Sequence, residues 1–148
     1  MASHNVEVVR NMLEAYASGG VDAVLPFIHD DFHGEVPPEV SAEPDSYDGP
    51  DGVRRYFDLF AEVIDDLAFE PYEFIEAGDR VMTVSRLRGR GKGSGIPVEM
   101  EAFNVAEVRG DKLAAMWAYG SRDAALAALG DADHVASLRR PRPRRATA

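Results

Sequence analysis

Between Arg80 and Val108 the chain alternates so regularly that a two-faced sheet is the structure it fits. In Val98 to Val108 the even positions hold Val98, Met100, Ala102, Asn104, Ala106 and Val108, and the odd ones include Glu99, Glu101 and Glu107. In Arg80 to Arg90 the odd positions hold Val81, Thr83, Ser85, Leu87 and Gly89, while Arg86, Arg88 and Arg90 take the other parity. Side chains alternate faces along a strand, so one face is apolar and the other charged. A register that sets Arg88 opposite Glu99 also sets Arg86 opposite Glu101, which makes a cross-strand ladder. Two further runs, 69–77 and 112–120, extend the pattern. The turns Ala77-Gly78-Asp79 and Arg109-Gly110-Asp111-Lys112 join neighbouring strands as antiparallel hairpins.

The first half of the chain keeps helical spacing instead. Val6, Val9, Leu13 and Tyr16 form a stripe, widened by Val8, Met12 and Ala15, and Ser18-Gly19-Gly20 ends it. A shorter helix over 21–28 and a brief strand over 32–36 follow. The loop PPEVSAEPDSYDGP is too long for a simple turn and is a candidate rim or lid. A helix near 51–64 presents Val53, Phe57, Phe60 and Ile64 on one side. Ser121 is placed to cap a last short helix, DAALAAL. Helices first and strands after them is an α+β pattern. The domain covers 1–130, and 131–148 is a basic Pro/Arg-rich tail.

Charge and composition narrow the function classes. The last ten residues carry five arginines and no acid, which leaves 11 basic against 26 acidic groups before them, a net of −15. An acidic body repels phosphate backbones, so nucleic acid is not expected as a partner. No apolar run reaches the roughly 18–20 residues of a membrane span. With no cysteine there is no disulfide, thiol nucleophile or thiolate metal site, and a cytoplasmic protein is the plain reading. HDDFH is one acidic turn and no metal-ligand spacing, so no metal and no cofactor are expected. His4, His29 and His134 fall near helix ends or in the tail, where solvation is expected. The segment GRGKGSG lacks a following helix whose amides would hold a phosphate.

Three stretches carry a resemblance: VEVVRNMLEAYASGGVDAVLPFIHDDF, YDGPDGVRRYFDLFAEVIDDLAFEPYEFIEAGDRVMTV and RGRGKGSGIPVEMEAFNVAEVRGDKLAAMWAYGSRDAALAALG. Together they resemble the SnoaL-like branch of the nuclear-transport-factor-2-like superfamily, from Val6 to Gly130. The resemblance implies a cone, in which a curved antiparallel sheet carries helices across its concave side and encloses an apolar pocket. It also implies a homodimer. Relatives include polyketide cyclases, ketosteroid isomerases, limonene-epoxide hydrolases, dehydratases and proteins that only bind. Their catalytic residues do not arrive intact. The acid of the last strand falls at Ala118, and the cyclase histidine and the isomerase's protonated acid both fall at Asn104. The isomerase's proton-abstracting acid falls near Val36, beside Glu35, and its tyrosine near Met12, one turn before Tyr16. The arginine and aspartate of the epoxide hydrolases fall at Ser85 and Leu87.

On the parity that the resemblance points inward, Ala114, Met116, Ala118 and Gly120 leave room for a guest, while Leu113, Ala115, Trp117 and Tyr119 face out. Trp117 and Tyr119 are then dimer-interface candidates, with a ligand stack as the rival role for Trp117. The expected ligand-binding residues are Tyr16, Ser85, Met100, Asn104, Met116 and Ala118, within an inward set that also holds Met12, Phe32, Val36, Phe60, Thr83 and Leu87. Asn104 is the one amide on an apolar face. It either serves a carbonyl or hydroxyl of a ligand or is satisfied by backbone or a buried water. His33 and Glu35 are the nearest proton carriers, and their parity turns them away from the cavity unless a bulge reverses it. Two functions follow. The first is binding of a small apolar molecule that bears a carbonyl or hydroxyl. The alternative is an isomerase, cyclase or lyase using Asn104 and Tyr16 as donors and Glu35 or His33 as base.

Overall fold

The computed structural model describes residues 3–37 and 45–130. The first helix, α1 (His4–Val24), starts at Ser3, whose side chain accepts a hydrogen bond from the Val6 amide. Val6, Val9 and Met12 of the expected stripe are buried on it. Gly20, at φ 71° and ψ −161°, kinks it where the Gly-Gly signal predicts an end. A 3₁₀ turn, Leu25–Phe27, leads into β1 (Ile28–Val36), which starts four residues before the expected strand. The chain resumes in β2 (Asp45–Asp48) and α2 (Gly49–Ala61), followed by β3 (Ile64–Ala77), β4 (Arg80–Gly91), β5 (Pro97–Arg109), β6 (Lys112–Tyr119) and α3 (Arg122–Gly130). Residues 38–44 of the candidate rim loop, and the basic tail, lie outside the described residues.

The six strands form one curved, unclosed sheet in the order β2-β1-β6-β5-β4-β3. Every pairing is antiparallel except β1 with β6, so the sheet is mixed. In the register of β4 and β5, Arg88 faces Glu99 and Arg86 faces Glu101, as the alternation predicts. Arg88 Nε lies 2.9 Å from Glu99 Oε2 and 3.4 Å from Glu70 Oε1. Lys92, in the glycine-rich turn after β4, is held by Asp65 at 2.8 Å. The start of α1 is tied to both hairpin turns. His4 Nε2 lies 2.9 Å from the Gly110 carbonyl, and Asn5 Nδ2 donates to the Gly78 carbonyl at 3.2 Å.

Both faces of the sheet are covered. On the concave face Ile28, Phe32, Val81, Ala106 and Val108 pack against Val6, Val9 and Met12 of α1 and Val53 and Phe57 of α2. On the outer face Met82, Val84, Val105, Ala115 and Trp117 pack under Ala125, Ala128 and Leu129 of α3. Ser121 Oγ accepts from the Ala124 amide and caps that helix. Leu113 departs from the expected parity, because a register shift between Glu107 and Val108 interrupts the β5–β6 pairing and puts Leu113 in the concave cluster.

One close approach fixes α2 against β2. A Cβ at Gly52 would stand 2.6 Å from the Tyr47 carbonyl carbon, a backbone atom that has no side-chain freedom to yield. Gly52→Ala is therefore expected to cost about 1–3 kcal/mol, the usual range for overpacking. Chemical denaturation measures it, and a loss under about 0.5 kcal/mol, within the range of neutral surface changes, would mean that α2 shifts freely on β2.

Candidate functional site

Between the two long helices and the concave face lies a cavity of two lobes. The first, about 510 Å³ with its open side included, is walled by Phe32 and Gly34 of β1, Tyr47 of β2, Val53, Tyr56 and Phe57 of α2, and Leu113 and Ala118 of β6. The second, about 480 Å³ on the same measure, runs along Val9 and Leu13 of α1 to Phe69 of β3 and to Thr83 and Ser85 of β4. Met12, Tyr56, Phe57, Asn104 and Met116 line both. The walls are apolar and aromatic, with a few neutral polar groups, as small-molecule sites are.

Asn104 stands at the junction. Its Cα partners are Thr83 on one side and Ala118 on the other, so the small alanine leaves space beside the amide. Among the described residues its side chain has no hydrogen-bond partner. The backbone option left open by the sequence is thus not the one adopted, and the amide is open to the cavity. Thr83 is 4% exposed, and its Oγ1 likewise lacks a partner. Burial raises the Tyr56 hydroxyl well above its ordinary value, so it is a neutral donor throughout the physiological range.

Four of the six expected ligand-binding residues line the cavity: Ser85, Asn104, Met116 and Ala118. Tyr16 borders neither lobe. Its ring stacks on Phe57 at 4.6 Å and meets Phe69 edge-on at 5.7 Å, and burial raises its hydroxyl too. Met100 is 50% exposed and also borders neither lobe. Tyr47 and Tyr56 are cavity residues that the sequence reading passed over. Tyr56 was within reach, since it follows Val53 by three residues and precedes Phe60 by four. Trp117 is 2% exposed under α3, and Tyr119, beside it on the outer face, is pushed up to about 12 by burial and then by the charge of Glu35.

The two proton-carrier candidates engage each other. His33 Nε2 lies 2.7 Å from Glu35 Oε2, and His33 Nδ1 lies 2.6 Å from Asp48 Oδ1 on β2. Phe32, Gly34 and Val36 take the cavity parity of β1, whereas His33 and Glu35 align with Ala115 and Trp117 of the outer face. Glu35 is among the residues bordering the first lobe, and its carboxylate is bonded to His33. No group of three histidines or acids among the described residues is arranged to hold a metal. No described helix is long and apolar enough to cross a membrane.

Only a protonated imidazole donates from both nitrogens, so the two carboxylates favour the cation. Partial burial of His33 works against protonation, but the hydrogen bonds to Glu35 and Asp48 outweigh it and the pKa is raised. The stabilisation is complete below the unfolded value of 6.5 and is lost as pH rises through the raised folded value. His33→Gln is expected to destabilise by about 1 kcal/mol at pH 5.5, a figure discounted for solvent exposure, and by less at pH 9. Thermal melts of both proteins across that range check it, and a difference that stays constant with pH would contradict it.

Comparison with known proteins matches this architecture. Residues 9–116 fit the sequence profile of the family described as SnoaL-like domain. No curated protein matches the sequence. Among solved structures, an NTF2-like protein of unknown function from Burkholderia pseudomallei K96243 is similar at a TM-score of 0.70 and 19% identity, over 88% of this chain and 100% of that one. TerC, co-crystallised with polyporic acid, is similar at 0.70 and 19%, over 86% and 98%. IdmH from Streptomyces antibioticus, a proposed polyketide cyclase, is similar at 0.66 and 20%, over 86% and 99%. At these identities the likeness is one of fold.

Proposed function

The chain belongs to the SnoaL-like family, and on that premise we propose that it binds a small, neutral, largely apolar molecule bearing a carbonyl or hydroxyl. The observation that carries this reading is the Asn104 amide, which among the described residues has no hydrogen-bond partner at the point where two apolar lobes meet. A hydrogen bond from the ligand restores what the amide gave up on leaving bulk water, and the aromatic walls take the rest of the molecule. TerC's co-crystal with polyporic acid is an example of a small-molecule complex on the same fold. Binding is favoured over proton transfer, because the Glu35 carboxylate and both ring nitrogens of His33 are engaged with one another and with Asp48.

We also propose a cytoplasmic homodimer that meets through the outer face at Tyr119 and the charged rows beside it. Tyr72, 52% exposed, lies there with its hydroxyl donating to Glu101 and the Arg86 guanidinium over its ring. Trp117 is not needed for this contact, since α3 already covers it. Native mass spectrometry of freshly purified protein, followed by denaturing extraction, tests both proposals. A complex of twice the chain mass that releases a neutral organic compound is expected. A monomer would contradict the dimer. A protein that releases nothing and fails to bind 4-phenylbutan-2-one saturably would contradict the ligand reading.

A further inference from the structure

Two polar side chains that have no partner among the described residues stand next to each other in the second lobe. Thr83 and Asn104 are Cα partners across β4 and β5, so they project from the same face with Cβ atoms about 5 Å apart. Thr83 Oγ1 is buried with no hydrogen-bond partner, although a valine would fill the same space without an orphaned hydroxyl. The residues lining this lobe include no charged group. A carboxylate or phosphate ligand would lose its hydration there with no cation to compensate it. A ketone oxygen alone can accept from one or both groups but has no proton to give, whereas a second, hydroxyl oxygen gives Thr83 a partner of its own that both donates and accepts.

We propose that Thr83 and Asn104 together read a β-hydroxy ketone, with Asn104 donating to the carbonyl oxygen and Thr83 taking the hydroxyl two carbons away. The inference rests on the ligand-binding reading above and names its chemical class. The amide N–H of Asn104 is the donor to the ketone, which has no proton to give. The Thr83 hydroxyl both donates and accepts, so it matches a ligand hydroxyl in either sense. Ser85, two residues along β4 and lining the same lobe, lies beyond Thr83 on the same face of the strand.

The test compares 4-hydroxy-4-phenylbutan-2-one with 4-phenylbutan-2-one, which differ only in the hydroxyl, by titration calorimetry on the full chain. Wild-type protein is expected to bind the hydroxy ketone about ten-fold more tightly, the factor that one well-placed hydrogen bond gives. Thr83→Val should abolish that preference, while Thr83→Ser retains it. Thr83→Val should also melt about 2–4 °C higher, because it removes a buried unpaired hydroxyl. Equal affinities in wild type, or a Thr83→Val loss shared equally by both compounds, would overturn the assignment of Thr83 and leave the cavity reading standing. If neither compound binds saturably, the cavity reading falls and this inference with it.

Discussion

Trp117→Ala is expected to remove about 3–5 kcal/mol of stability, the range found for deleting a large aromatic from a core. The indole is 2% exposed and fills the space between the outer face of the sheet and α3, where Ala125, Ala128 and Leu129 close over it. The nine residues of α3 are too few to hold a helix in water by themselves. Docking on Trp117 and its neighbours is what holds it, so the helix should be released along with the packing. The indole Nε1 is buried without a partner among the described residues, a cost that the alanine variant no longer bears, and the loss should fall in the lower half of the range. Denaturant unfolding followed by circular dichroism measures it, with a fall in midpoint temperature of about 10 °C expected alongside. A loss under about 1 kcal/mol would mean that α3 does not close over the indole.

Asn104→Leu carries the second large effect. Leucine has the branched outline of the amide, though larger, and none of its hydrogen-bonding groups, and among the described residues Asn104 makes no side-chain hydrogen bond that folding would miss. The affinity for 4-phenylbutan-2-one should fall ten- to hundred-fold, or about 1.4–2.8 kcal/mol, because the ketone oxygen then enters the cavity with no donor. The melting temperature should hold or rise, since a polar group is removed from apolar surroundings. Calorimetric titration and a thermal melt of the same preparation separate the two effects. Unchanged affinity would take Asn104 out of the site.

The register was legible because Arg86, Arg88, Glu99 and Glu101 share one face of β4 and β5, although Val81–Ser85 and Val105–Val108 are buried on both faces. Where local geometry breaks the period, sequence reading loses its grip. The shift at Glu107 and Val108 is invisible in an alternation count, yet it sends Leu113 to the concave face. The four residues of β2 sit in a Pro- and acid-rich segment with no alternation to reveal them, and Tyr47 went unnoticed with them. Asn104 was legible as a lone amide in an apolar row. Tyr16 was equally legible as part of the α1 stripe, but Phe57 and Phe69 fill the space in front of it. DAALAAL reads as a short helix, while its seat on Trp117 depends on where the chain turns after Tyr119, which periodicity does not report.

The central claim is that a neutral organic molecule enters the cavity and meets Asn104. The chain has three asparagines, Asn5, Asn11 and Asn104, and no glutamine, so only three side-chain amide pairs occur in a ¹⁵N-correlated spectrum. That spectrum, recorded during titration with 4-phenylbutan-2-one, tests the claim most directly. One pair, the one absent from Asn104→Leu, is expected to move and saturate. Asn5, bonded to the Gly78 carbonyl, and the exposed Asn11 should stay in place. A titration in which no pair moves, or in which the Asn5 or Asn11 pair moves instead, would contradict it.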